Sequence, residues 1–164
     1  FRFATESRAP ILLLAARDDA QADLATVTAF AYNSEQGRLT ELQNISTLPK
    51  SFVGENTTAE IDIHPSGKFL YGSNRGRDSI VLFTVDENEG TLTYFEDLST
   101  TGKTPRHFGL HPAGELLAIG HQDSDTIQLC RIDGASGRLK PMGEAIEAPM
   151  PVCILFLPPE NTGR

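Results

Sequence analysis

The chain has 164 residues, 39% of them hydrophobic and 7% aromatic, and 14 Lys and Arg against 22 Asp and Glu give a formal net charge of −8. This excludes a disordered or collagen-like chain, and no apolar run approaches the roughly 20 residues that cross a bilayer as a helix. The acidic balance argues against a nucleic-acid or anionic-membrane surface, which needs clustered Lys and Arg.

Cys130 and Cys153, with no CxxC pair, build neither a disulfide framework nor a zinc site. Their sparseness fits a reducing compartment, so a cytoplasmic location is expected. The first residue is Phe1, so targeting is not read from the N-terminus.

In chain order, the apolar stretch 11–16 reads as a short strand, and Gly37-Arg38-Leu39-Thr40 opens a later one after a turn. Residues 51–100 carry four strands rich in apolar and β-branched residues, at about 60–64, 69–74, 80–86 and 92–98. Pro65-Ser66-Gly67 and Asn88-Glu89-Gly90 are turn chemistry, with Gly where a positive φ is expected. Ile61-Asp62-Ile63-His64-Pro65-Ser66-Gly67 then returns 47 residues later as Phe108-Gly109-Leu110-His111-Pro112-Ala113-Gly114. The same offset carries Asp78-Ser79-Ile80 onto Asp125-Thr126-Ile127, and Gly90-Thr91-Leu92-Thr93 onto Gly137-Arg138-Leu139-Lys140. A further copy starts at Val152-Cys153-Ile154.

Four strands in a repeat of this length make a β-propeller blade. The fold class is therefore all-β, a partial propeller of roughly three blades in one domain over 1–164. Residues 1–50 hold an incomplete blade, 51–100 and 101–147 complete ones, and 148–164 the first strand of a further blade, at 148–158. Closed rings need about four to eight blades, and an open run leaves bare sheet edges. The remainder of the propeller is thus an expected partner, and the isolated chain is expected to be inactive.

A blade's first strand lines the central channel, and its start lies beside the end of the second strand. Glu60, Asn74 and Arg75 are expected at one mouth of the channel. Arg106, His107, His121 and Gln122 occupy the matching places of the next blade, and Cys153 that of the last. The 47-residue shift superposes Glu60 on His107, Asn74 on His121 and Arg75 on Gln122. Polar residues that differ between copies at one rim point to an asymmetric site. Arg75 and Arg106 can hold a carboxylate or phosphate through paired hydrogen bonds. Glu60 and His107 can serve as base and acid, with Arg106 beside them. Asn74, His121 and Gln122 complete the candidate substrate contacts.

Structural roles compete at each place: Arg75 can pair with Asp78, and Glu60 with a neighbouring Arg. His64 and His111 read as turn-fixing imidazoles, Asp78 and Asp125 as acceptors of backbone N–H groups, and Cys153 as a small buried apolar residue. His107 and His111 have zinc-helix spacing but straddle a strand that ends at Pro112. Gly102-Lys103-Thr104 lacks the first glycine of a phosphate loop, and Pro105 blocks the helix that would follow. No nucleophile elbow or calcium loop is present. No metal and no cofactor are expected.

Ala59-Glu60-Ile61, His64-Pro65-Ser66-Gly67-Lys68-Phe69-Leu70-Tyr71-Gly72-Ser73-Asn74-Arg75-Gly76, Gly102-Lys103-Thr104-Pro105-Arg106-His107-Phe108 and Gln122-Asp123-Ser124-Asp125 together resemble the lactonase-type seven-bladed propeller family. That family includes bacterial-type 6-phosphogluconolactonases and fungal carboxymuconate cyclases. The likeness runs from about residue 50 to 156. It implies a metal-independent enzyme acting on a small anionic lactone, phosphorylated or carboxylated, or on its open acid. It implicates Glu60, Arg75 and Arg106, with Glu60 or His107 managing the proton. His121 departs from the Asn that the family pattern leads one to expect. A lactonase, a lactonizing cycloisomerase and a non-catalytic binding propeller remain open at this point.

Overall fold

The computed structural model describes residues 11–15 and 25–157. Among them the chain forms three antiparallel meanders. The first is β1 (Ile11–Ala15), β2 (Thr26–Asn33) and β3 (Arg38–Ser46), paired in that order. The second is β4 (Thr57–Ile63), β5 (Phe69–Arg75), β6 (Ser79–Val85) and β7 (Leu92–Ser99). The third is β8 (Pro105–Leu110), β9 (Leu116–His121), β10 (Thr126–Ile132) and β11 (Leu139–Glu147), with a single 3-10 turn, Gln122–Ser124, between β9 and β10. The second and third sheets are four-stranded blades of a partial propeller, and the first shows three strands. The strands expected over 51–100 form with their ends within three residues; β4 starts earlier, at Thr57, because Thr57 and Thr58 pair with Arg75 and Asn74.

The middle sheet is buried on both faces. Along β5 and β6, successive side chains point to opposite faces. Phe69, Tyr71, Ile80 and Leu82 meet Phe108, Leu110, Leu117, Ile119, Cys130 and Ile132 of the third sheet. Leu70, Val81 and Phe83, with Leu92, meet Val27 of the first. That is why β5 and β6 are almost continuously buried while the outer strands β7 and β11 alternate or are exposed.

Directional bonds set how neighbouring sheets sit. The Tyr71 hydroxyl donates to the Gly137 carbonyl at 2.6 Å. His64 takes the Ser66 N–H on Nδ1 at 3.1 Å and places Nε2 2.9 Å from the Gly114 carbonyl, across to the equivalent turn of the next sheet. Gly114 sits at φ +74, and a Cβ there would come within 2.5 Å of the His64 ring. Asp78 and Asp125 both lie in the left-handed region, at φ 54 and 53. Their carboxylates accept the N–H of Thr104 (2.9 Å) and of Met150 (2.8 Å), residues that lead out of one blade toward the next. The turn roles read for these two histidines and two aspartates are what the bonds show; His111 likewise accepts the Ala113 N–H, at 3.2 Å.

Two expectations differ. Residues 151–157, where a first strand was expected, join no ladder; they pass over β8 and β9. A strand needs a hydrogen-bonded partner, and none lies beside them among the described residues. Residues 158–164, and residues 1–10 and 16–24 of the expected incomplete blade, lie outside the described residues. Cys153 is exposed rather than buried, because that segment offers alternate side chains to solvent. Among the described residues no helix is long and apolar enough to cross a membrane.

Burial raises the Tyr71 phenol above its ordinary 10.0. An unfolded tyrosine therefore releases its proton before the folded one, and stability falls as pH rises past about 10. Tyr71→Phe should remove part of that slope and cost about 1–2 kcal/mol at neutral pH, since it leaves the Gly137 carbonyl unpaired. Urea unfolding at pH 7 and pH 10.5 measures both.

Candidate functional site

The site is built on a backbone irregularity that occurs twice. Between Thr58 and Ile61, β4 advances three residues while β5 advances two, from Asn74 to Gly72. Between Pro105 and His107, β8 advances two while β9 advances one, from His121 to Gly120. Each inner strand thus carries a β-bulge, and the two bulges coincide under the 47-residue shift. Bulges re-aim side chains and gather near active sites. Here they contain Ala59 and Glu60 in one strand and Arg106 in the other, next to His107.

Because β4 and β8 lie against each other, equivalent positions become neighbours. The Glu60 carboxylate Oε2 sits 3.2 Å from His107 Nε2, with the side chains 31% and 21% exposed. On its other side, His107 Nδ1 accepts the Ile154 N–H at 3.2 Å. Glu60 is also held through its backbone, whose N–H donates to Ser73 Oγ at 2.9 Å. Its Oε1 accepts the Ile61 N–H at 3.3 Å. Arg106 is exposed, and no hydrogen bond or ion pair occupies its guanidinium among the described residues. It is free to take an anion. Arg75 is half-buried and tethered: one Nη donates to the Thr58 carbonyl at 3.0 Å, while its buried Nε has no partner. Gln122 is half-buried in the 3-10 turn, its backbone N–H bonded to the Thr104 carbonyl at 3.0 Å.

Asn74 and His121 are not at the surface of this group. Asn74 is 0% exposed. Its Oδ1 accepts from Thr47 Oγ1 (2.7 Å) and Asn56 Nδ2 (3.1 Å), and its Nδ2 donates to the Thr47 carbonyl (3.1 Å) and Ser79 Oγ (3.3 Å). Those four bonds use the amide's whole capacity, so Asn74 clamps the end of β3 to the middle sheet and has nothing left for a ligand. His121 is also 0% exposed, 3.4 Å from Thr126 Oγ1 through Nδ1, and its Nε2 is buried without a partner. Burial lowers its pKa below the ordinary 6.5, against the pull of Asp78. Sequence reasoning missed Ile154, Ser73 and Thr47 as the partners that hold these groups. Ile154 acts through its backbone N–H and Thr47 lies 27 residues from Asn74, so no local motif signals either contact. Among the described residues no three His, Cys, Asp or Glu side chains gather to hold a metal ion.

The family model for the lactonase seven-bladed β-propeller matches residues 24–156. The chain belongs to this lactonase family. It is 34% identical over 131 residues to a 6-phosphogluconolactonase of Bacillus subtilis, covering 80% of this chain and 38% of that protein. A crystal structure of a Lactobacillus plantarum protein superposes with a TM-score of 0.78 at 31% identity, over 82% of this chain and 39% of that one. The periplasmic gluconolactonase of Pseudomonas aeruginosa gives 0.72 at 30% identity, over 85% and 40%. The chain thus spans about four tenths of the length of these lactonase-family relatives.

Two variants separate holding the fold from facing a ligand. Asn74→Ala should cost at least about 2 kcal/mol, because it strands Thr47, Asn56 and Ser79 in a buried setting. Arg106→Ala should change stability by no more than about 0.5 kcal/mol. Denaturant midpoints read both. A buried neutral histidine also loses stability on acidification: below 6.5 the unfolded His121 binds a proton that the folded one resists. His121→Asn should flatten the fall in melting temperature between pH 6.5 and 5.

Proposed function

We propose that the protein hydrolyses a small anionic sugar lactone, in the manner of a 6-phosphogluconolactonase. The observation that carries this reading is the Glu60–His107 pair on matching bulges, with the unpaired Arg106 on one of them. A lactone ester needs three things: a water made nucleophilic, a cation for the charge that develops on the carbonyl oxygen, and an anchor for the substrate's own anion. The Glu60–His107 pair supplies the proton acceptor. Arg106, on the same bulge, supplies positive charge, and Arg75, tethered at the end of β5, extends the cationic side toward a phosphate or carboxylate. Two guanidinium groups in a chain of net charge −8 also focus a small anion onto this rim. The names of the Bacillus and Pseudomonas relatives agree with the reaction class.

The full-length protein containing these residues should hydrolyse 6-phosphogluconolactone faster than the spontaneous rate. Glu60→Gln should lower kcat by about 10²–10⁴. Arg106→Ala should raise KM and lower kcat/KM by at least about tenfold, the loss of one charge-assisted pair. Unchanged rates in both variants would remove the site from this rim.

A further inference from the structure

We infer that Glu60 is the proton acceptor of the site and that His107 is a positioning residue, locked in one tautomer by the backbone of residue 154. The inference rests on the lactone-hydrolysis reading for its chemistry, but the tautomer itself does not depend on that reading.

A histidine that acts as general base needs a ring nitrogen whose lone pair faces the substrate. His107 has none to offer. Its Nδ1 lone pair accepts the Ile154 N–H at 3.2 Å, so the proton of the neutral ring lies on Nε2. That nitrogen faces Glu60 Oε2 at 3.2 Å and donates to it. In a carboxylate–histidine dyad the carboxylate orients the ring and the far nitrogen does the work; here a backbone amide occupies the far nitrogen. The carboxylate is in the opposite situation. It has about four lone-pair positions and uses two, one for His107 and one for the Ile61 N–H. It is also the more exposed partner, so the reacting proton goes to Glu60.

The lock is built into the packing. Residues 151–154 lie directly on β8 and β9 at two glycines. A Cβ at Gly109 would come within 2.9 Å of the Ile154 carbonyl oxygen, and one at Gly120 within 3.0 Å of that of Pro151. This close approach holds the Ile154 amide against His107. The chain of support therefore runs from Ile154 through the imidazole to the carboxylate.

A water oxygen bonds to the lactone carbonyl carbon while one of its protons passes to Glu60. The tetrahedral intermediate then breaks its bond to the ring oxygen, which takes that proton from Glu60 and leaves as the hydroxyl of the open acid. His107 neither gains nor loses a proton.

Two measurements test this. In the 15N-histidine NMR spectrum, assigned with His107→Gln, His107 should show a bare Nδ1 and a protonated Nε2. In turnover by the full-length protein, His107→Ala should lose kcat with little change in KM, and His107→Gln should recover most of that loss, since an amide can still donate to Glu60. Glu60→Gln should stay down by about 10²–10⁴. A protonated Nδ1, or a His107→Gln variant as inactive as Glu60→Gln, would overturn the assignment. If the wild-type protein does not hydrolyse the lactone, the proposed reaction falls, and the tautomer alone decides the role of His107.

Discussion

The structure depends on burying both faces of the middle sheet at once. A strand with period-two alternation can satisfy two neighbours only if both sets of side chains are apolar. β5 and β6 meet this with Phe69, Tyr71, Ile80 and Leu82 on one face and Leu70, Val81 and Phe83 on the other. Such packing is strong but non-directional. It holds blades together without fixing how far one slides along the next. The bonds that do so include Asp78 to Thr104, Tyr71 to Gly137 and His64 to Gly114 toward the third sheet, and Asn74 to Thr47 and Gln43 to Leu92 toward the first.

Fixing the sheets in one register gives the site its geometry. The same bulge in β4 and β8 brings equivalent positions of two inner strands within hydrogen-bond reach, and a difference in side chain at those positions creates an asymmetric pair from a repeated scaffold. Glu against His sets a carboxylate acceptor against a ring nitrogen that can donate. The neighbouring equivalent positions show the opposite use of the same places. Asn74 puts every amide group into holding β3 to the middle sheet, while His121 fills the matching place with a ring that burial keeps neutral.

The repeat, the strands and the turns were legible in the sequence because they rest on local signals: alternating apolar residues, Gly in the turns, and His-Pro-x-Gly at a constant spacing. The pairing of rim positions was legible through the same spacing, and so was the family. Which rim side chains face outward was not. Asn74 and Arg75 are adjacent, yet Asn74 is taken by Thr47, 27 residues away and just past the end of β3, and such a partner leaves no local mark. The bulges were hidden because one extra residue in a strand barely disturbs its pattern. Ile154 acts through its backbone N–H, which no side-chain motif reports, and Cys153, expected as a small buried apolar residue, is exposed on a segment that joins no strand ladder.

On the proposed reading, the two bulged inner strands form a lactone site. The crystal structure of the full-length protein with the open acid, 6-phosphogluconate, tests it most directly. The product's carboxylate should lie within hydrogen-bond distance of Glu60 or Arg106, with the Glu60–His107 contact intact and the phosphate on a guanidinium. Product bound elsewhere, with Glu60 and Arg106 untouched, would contradict it.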